Sequence, residues 1–593
     1  APDTELLPWN AQFTPVDLPH DWQIRHADDL YRDGTLFYRK YFFVTDVPGT
    51  RRMLWFGGAY MDTTVFVNGT EVGQWKYGYT SFWFDITDAL HEGQNEVLVR
   101  CNLRHPNSRW YSGAGLYRNV ELWEAPDLHL MPDGLYVAAK EGDNGAWTVA
   151  VTAEAGSVTA ASTGHTLTLH LTDDNGSLLG TAAIPADAWA ALPSPDGWRT
   201  GKETAIYKAS HTFTLQDPAL WDLDAPSFYH ITAELTGADG VTDTLTTRFG
   251  CRTIEATPDC GLLVNHKRVL IKGVCIHHDF GCLGSAFEYS AAKRQLEILK
   301  SMGVNSIRTG HTPPAPQFMD LADEMGILMD VESFDCWRSG KNPYDYGRFF
   351  DEWQEKDVAA WVRRDRNHPS LLFWCIGNEI YDTHAGPEGA DTMRMLLAEV
   401  AAHDPARNGI PTLGSNYMPW ENTQHCADII KVAGYNYGER LYASHHEKHP
   451  DWVIYGSETS SIVQSRGIYH FPLSQSLLSD DDLQCSSLGN SRTSWGAESW
   501  DVCLQSEQRW PFTLGQYLWT GWDYIGEPTP YHTRSSYFGT IDTAGFPKDA
   551  YYVVQAAWLD PKTHPMVHLF PYWDFNEGQL IDLCACTNAH SVE

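Results

Sequence analysis

The segment Leu371-Leu372-Phe373-Trp374-Cys375-Ile376-Gly377 is apolar or small at every position and ends in Asn378 and Glu379. A run of that length without alternation predicts a strand buried on both faces, as in a parallel sheet covered by helices. Such a strand rarely finishes in an amide and a carboxylic acid. In an α/β barrel the interior is packed, and only strand ends and the loops after them reach a ligand, so a carboxyl at that position is presented to a pocket. The ordinary explanation of an isolated Asn-Glu pair is different: Asn378 capping the next helix, with Glu379 in its first turn.

A second strand of the same design runs Trp452-Val453-Ile454-Tyr455-Gly456-Ser457 and also ends in a glutamate, Glu458. The interval between the two glutamates holds two or three β/α units of roughly 30 residues each. Parallel barrel strands point one way, so both carboxyls would emerge on one face. Two facing carboxylates are what glycosidic bond cleavage needs, one acid to protonate the departing oxygen and one carboxylate to attack or to activate water. Ile376-Gly377-Asn378-Glu379 and Tyr455-Gly456-Ser457-Glu458-Thr459 resemble the acid/base and nucleophile motifs of glycoside hydrolase family 2, the β-galactosidase and β-glucuronidase group.

The 593 residues are too many for one core and imply three or four domains. Residues 1 to 127 read as short strands, among them Phe37 to Phe43, Arg52 to Phe56, Thr63 to Val67 and Glu96 to Arg100, with a hairpin signal at Asn68-Gly69. This is a β-sandwich, and the stretches around Leu18 to Trp22 and Gly113 to Arg118 resemble the family's jelly-roll domain. Residues 128 to 253, with strands such as Trp147 to Val151 and Thr166 to Leu171, suit an immunoglobulin-like sandwich. Strands alternate with helical segments from about Arg268, beginning with the amphipathic run Ala291 to Met302, where Leu296, Ile298 and Leu299 feed one face; residues 254 to 566 thus fit one (β/α)₈ TIM barrel. Residues 567 to 593 turn back to strand-like runs, the expected beginning of a further C-terminal β-sandwich, truncated here.

Aromatic residues make up 13% of the chain, including 24 Trp; such faces suit sugar C–H surfaces but equally fill sandwich cores. A net charge of −34 argues against nucleic-acid partners. No apolar stretch is long enough to span a membrane, and Ala1 to Asn10 lack the features of a signal peptide. The 12 cysteines include no metal-type CxxC pair and read as small buried hydrophobes in a reducing compartment, so the expected location is cytoplasmic, with a secreted or periplasmic one left open. Association into a homo-oligomer also stays open.

Polar residues recur after other apolar strands: His277, His278 and Asp279 after Val274-Cys275-Ile276, and Arg308 and His311 after Val304 to Ile307. Singly, each histidine reads as a satisfied structural residue and Arg308 as a buried ion-pair partner. Together they suit a pyranose, whose hydroxyls need donors and acceptors from several directions. By the resemblance, His277, Asp279, Arg308 and His311 line the sugar subsite or orient the nucleophile, and Asn378 donates to the sugar 2-hydroxyl. Trp519 closes the subsite, and Trp110 or Tyr111 reaches the rim unless it is core. Gly434-Tyr435-Asn436-Tyr437 ends another strand, from which Tyr435 or Tyr437 could bond the nucleophile. Glu379 is then the acid/base, with a raised pKa, and Glu458 the nucleophile, kept ionised by Arg308, the two carboxyls roughly 5 to 5.5 Å apart.

Two departures from the family pattern refine this. The Glu-x-His pair through which some family β-galactosidases bind magnesium is missing from the matching stretch Asp330 to Trp337, so neither a metal nor another cofactor is expected. The Asn-x-Lys motif of β-glucuronidases is missing from Arg534 to Gly539, although Arg534 could serve a carboxylate. The expectation is therefore an exo-acting retaining β-galactosidase taking small-molecule or oligosaccharide β-glycosides. The alternatives are a β-uronidase or other family 2 β-glycosidase, and, from another class, a non-catalytic carbohydrate-binding protein.

Overall fold

The computed structural model describes residues 7, 11–26, 28–45, 49–159, 163–192, 198, 201–237, 240–473, 484–485, 498–529 and 533–591. Apart from Leu7, the stretch read for a signal peptide lies outside the described residues.

The N-terminal strands form two antiparallel sheets face to face. One orders the strands Gly34–Val44, Gly93–Leu103, Thr63–Val67 and Thr70–Trp75; the other orders Phe82–Asp85, Thr50–Phe56 and Val120–Pro126. Asn68 and Gly69 both take positive φ between Val67 and Thr70, the geometry an Asn-Gly hairpin adopts. A second pair of sheets follows, built on Ala146–Ser157 against Ala205–Gln216 and on Thr166–Asp173 against Tyr229–Gly237. Alternation along these strands buries Val149, Val151, Leu167, Leu169, Ile231 and Ala233 in one core.

The barrel strands, numbered here in chain order, are β1 Ile271–Ile276, β2 Ser306–Thr309, β3 Leu328–Glu332, β4 Leu371–Asn378, β5 Ile410–Ser415, β6 Val432–Asn436, β7 Val453–Ser460 and β8 Gly515–Trp519. All neighbours pair in parallel and β8 closes on β1. Every residue of β4 and β7 is buried, as their unbroken apolar runs require. Arg268 and Val269, read as the opening of the barrel, belong instead to a strand, Lys267–Val269, of a three-stranded antiparallel sheet; its Leu262 and Val264 join the core cluster that includes Ile271 and Leu372. The helix Tyr289–Met302 buries Ala292, Leu296, Leu299 and Met302. Ile298 lies off that line, two residues and about 200° around the helix from Leu296, and is only partly buried. Beyond the barrel, Val567–Phe570 pairs with Cys584–Thr587 in a two-stranded ribbon, joined to the helix Asp549–Trp558 by His568, which hydrogen-bonds Asp549 and stacks on Tyr552. None of the cysteines forms a disulfide, and eight of them are buried. Among the described residues no helix is long and apolar enough to cross a membrane.

The arrangement sets the C-terminal ends of the barrel strands against the N-terminal sandwich. The Arg118 guanidinium donates to the carbonyls of Tyr79 (2.7 Å) and Pro313 (2.8 Å), and the Tyr77 hydroxyl donates to the Ser333 carbonyl. This contact brings the loop around Arg109 and Trp110 over the barrel mouth.

Candidate functional site

Glu379 follows the last residue of β4 and Glu458 lies near the end of β7, both buried. Glu379 has φ of +45° and Tyr437 of +54°, the left-handed region that side chains with a Cβ rarely occupy; such strain persists where the surrounding structure enforces it. The Glu379 amide is fixed by a 2.9 Å bond to the Gly414 carbonyl, and the Tyr437 amide by a 2.8 Å bond to the Glu458 carbonyl.

The two carboxyls are held differently. Glu458 Oε1 receives the Arg308 guanidinium at 2.8 Å, and Oε2 receives the Tyr437 hydroxyl at 2.8 Å. Glu379 Oε1 accepts from Asn436 Nδ2 at 3.1 Å, and Oε2 meets Arg109 at 3.4 Å. Arg308 was expected to keep Glu458 ionised. It makes the contact, but burial outweighs it and pushes the Glu458 carboxyl up to about 7, with the nearby charge of Glu379 adding to the rise. The reason is that Arg308 is shared: its other guanidinium nitrogen pairs with Glu332 at 2.7 Å and donates to Asn378 Oδ1 at 2.9 Å.

His311 lies between these groups. Burial, reinforced by Arg308 and Arg109, drives its pKa well below the ordinary value, so the ring is neutral. Its Nδ1 is 3.1 Å from Glu332 Oε1 and its Nε2 is 3.3 Å from Asn378 Nδ2, which assigns the proton to Nδ1 and leaves Nε2 accepting. Asn378 spends its other N–H on Asp335 (3.1 Å) and accepts from Arg308 and from Asn436 (3.1 Å). All four of its hydrogen-bonding positions are taken, so a sugar hydroxyl reaching it must displace Asp335 or His311.

The walls are aromatic. Trp519 stacks on His311 with centroids 5.2 Å apart and planes at 7°. His277 is ringed by Trp110, His311, Trp519 and Tyr524 at 4.1 to 5.8 Å. Both of its ring nitrogens are buried and have no hydrogen-bond partner among the described residues, and burial keeps the ring neutral. A neutral imidazole offering one donor and one acceptor inside an aromatic wall suits a hydroxyl-bearing ligand.

Asp279, expected at the subsite, accepts the Gly281 amide at 3.1 Å on one carboxyl oxygen and the Ile525 amide at 3.4 Å on the other, clamping the loop after β1 to the loop after β8. His278 likewise bonds the Ser112 carbonyl, Tyr435 bonds His445, and Tyr111 bonds Asp21. Arg534 is exposed.

Four contributors were not singled out from sequence as site residues. Asn436 ends β6 in register with Glu458, the strand-end signal that identified the other groups. Asp335 lies in the loop after β3 and accepts from Arg109 (2.9 Å) and Lys341 (2.7 Å). Burial works to raise the Asp335 carboxyl, but these two cations outweigh it and hold it below the usual range. Lys341 also donates to the Asn378 carbonyl at 3.0 Å. Arg109 comes from a loop of the other domain.

The stretch in which family members can hold magnesium does not fit a divalent ion here. Asp335 carries two cations, and Glu332 is taken by Arg308 and His311. Away from the mouth, Asp320, Asp323 and His368 have metal-like spacing, but Asp323 already serves Arg248, His368 and the Ser370 amide.

A closed parallel barrel with paired carboxyls at its strand ends, joined to antiparallel sandwiches, defines a glycoside hydrolase. The chain belongs to glycoside hydrolase family 2. The profile "Glycosyl hydrolases family 2, TIM barrel domain" matches residues 256–446, and "Glycosyl hydrolases family 2" matches residues 133–252. The Bacteroides ovatus protein named Beta-galactosidase BoGH2A is 35% identical over 98% of this chain and 72% of its own length. A Formosa agariphila protein named Putative beta-glucuronidase is 30% identical over 98% of the chain and 56% of its own length. The crystal structure of a β-glycosidase from Bacteroides vulgatus superposes with a TM-score of 0.83 at 29% identity, covering 97% of this chain and 74% of that one.

Proposed function

We propose that this hydrolase is an exo-acting retaining β-galactosidase, with Glu458 as nucleophile and Glu379 as acid/base. The observation that carries the reading is the unequal support of the two carboxyls, Glu458 held by a guanidinium and a phenol and Glu379 by an amide and a longer contact to Arg109. In the first step Glu458 attacks the anomeric carbon while Glu379 gives its proton to the departing oxygen. In the second, Glu379 takes a proton from a water whose oxygen attacks the anomeric carbon, breaking its bond to Glu458 and releasing the sugar with its configuration retained. Arg308 and Tyr437 orient Glu458 so that one oxygen meets the sugar as positive charge develops on the ring.

A neutral glycone is favoured over a uronic acid by the charges at the mouth. Arg109 faces Asp335, Glu379 and Glu527, and Lys341 faces Asp335, so both of these cations are already answered by carboxylates. Exo action is read from the ring cluster of Trp110, His277, Tyr524 and Trp519, which would stop a saccharide from continuing past the glycone on that side. The galactose assignment also rests on the B. ovatus relative, while the F. agariphila relative keeps a uronidase as the second reading. The test is a panel of p-nitrophenyl β-glycosides differing only at C4 and C6: the galactoside should exceed the glucuronide and galacturonide by at least about a hundredfold in kcat/KM, which an unpaired charge in a neutral site would impose. A preference for either uronide would overturn the assignment.

The pH profile is a second check. Attack needs Glu458 ionised and its folded pKa is about 7, so kcat/KM should fall as pH drops below 7, tenfold per unit in the limit. Tyr437 donates to the charged form, so Tyr437→Phe should move this acidic limb to higher pH and lower kcat/KM about ten- to a hundredfold at pH 7.

A further inference from the structure

On the solvent side of Glu379 the loops after β4 and β5 place four rings together. His384 and Tyr417 stack at 3.9 Å and 24°, Tyr381 meets Tyr417 edge-on at 6.2 Å, and Trp420 lies 5.6 Å from His384. Tyr381 is 40% exposed and Trp420 57%, whereas most tryptophans of this chain are buried. Trp420 immediately precedes the helix Glu421–Ile430, which leaves its ring at the loop's surface beside His384. Tyr381 follows Glu379 by two residues, and Tyr417 follows by two the end of β5, whose Gly414 carbonyl binds the Glu379 amide at 2.9 Å, so the cluster stands beside that carboxyl. His384 Nδ1 is buried without a hydrogen-bond partner among the described residues.

Position gives the cluster its meaning. A general acid must stand within hydrogen-bond reach of the glycosidic oxygen, so whatever is attached beyond that oxygen continues past the acid. The glycone walls come from β1, β2, β8 and the Trp110 loop, across the mouth from β4 and β5. We propose that Tyr381, Tyr417 and Trp420 form a subsite for the leaving sugar of a disaccharide or longer saccharide, resting on the reading of Glu379 as acid/base. A pyranose presents a C–H face to an aromatic ring and hydroxyls at its edge, and this cluster offers exposed faces with phenol and imidazole groups beside them. A purely apolar leaving group would leave those polar groups unanswered.

The test compares a β-linked disaccharide with the methyl β-glycoside of the same glycone, taken as whichever sugar the aryl panel selects. Both leave as alcohols that need the acid's proton, but only one carries a ring. Wild type should favour the disaccharide in kcat/KM. Trp420→Ala should cut that preference about three- to tenfold, mainly through KM, with the loss on the disaccharide exceeding any on the methyl glycoside. Trp420→Phe, which keeps a face, should restore most of it, and Tyr417→Phe tests the hydroxyl separately. A preference untouched by Trp420→Ala and Tyr417→Phe overturns the subsite, as does equal loss on both substrates or a wild type indifferent to the second ring. Failure of the wild type on every glycone of the panel takes down the functional reading itself, and the subsite with it.

Discussion

Glu458→Gln should abolish turnover of the aryl β-glycoside that the panel selects, lowering kcat by at least about three orders of magnitude at pH 7, because an amide cannot form the glycosyl ester that the proposed mechanism requires. The substitution is nearly isosteric, and the Gln carbonyl can still accept from Arg308 or Tyr437, so positioning is largely kept. Stability supplies the control. Burial raises this carboxyl from 4.5 to about 7, so the folded state holds its proton more tightly than the unfolded chain, and the group's contribution to stability is lost as pH rises from about 4.5 through 7. A neutral glutamine escapes that loss. The variant should therefore show a Tm at pH 8 equal to or above that of wild type while being inactive. Wild-type-like turnover would remove the nucleophile assignment, and a large drop in Tm would attribute the loss to folding. Glu458→Asp should also be severely impaired, since shortening the side chain withdraws the carboxylate by more than an ångström from a position fixed at both oxygens.

What the sequence made legible follows from what physical signal each group leaves. Strands β4 and β7 are buried on both faces, so their apolar runs are continuous and the glutamates that end them stand out. Arg308, His311 and Tyr437 share that strand-end signature and converge on Glu458 or on its neighbours. At Asp279 the signature says where the side chain begins but not that it also takes two backbone amides, of Gly281 and Ile525. Asn436 carried the signature and was passed over for its tyrosine neighbours.

Arg109 and Lys341 left no such trace. Each is a cation in a loop, and Arg109 reaches the site only because the sandwich packs across the barrel mouth, a contact between residues far apart in sequence. Local patterning carries no information about that docking. The balance of forces at Glu458 was equally illegible: spacing can predict that Arg308 comes near, but only the packed structure reveals that Glu332 and Asn378 divide its attention and that burial prevails. The aromatic composition could not separate Trp110 and Trp519, whose rings meet His277 and His311, from Trp522 and Trp75, which do not, since all four are buried in core clusters.

Loss of Glu379 should produce a defect graded by the leaving group, and that grading separates an acid/base from every structural role. In Glu379→Ala the glycosidic oxygen departs without a proton, which a dinitrophenolate tolerates and a sugar alkoxide does not. Hydrolysis of a disaccharide should fall by about 10²–10⁴-fold, while the first step on a dinitrophenyl glycoside should slow far less. The second step also loses its base, so the activated substrate should give a burst of phenolate followed by slow turnover as the glycosyl-enzyme accumulates on Glu458. Azide, which needs no base, should fit the space left by the carboxyl, accelerate that turnover and yield a β-configured glycosyl azide. Asn436 and Arg109 lose their contact to Glu379 in this variant but keep Asn378 and Asp335, so the site retains its shape and the substitution reports on proton transfer. A loss of equal size across all leaving groups, with no burst and no azide effect, would show that Glu379 holds the pocket together and moves no proton.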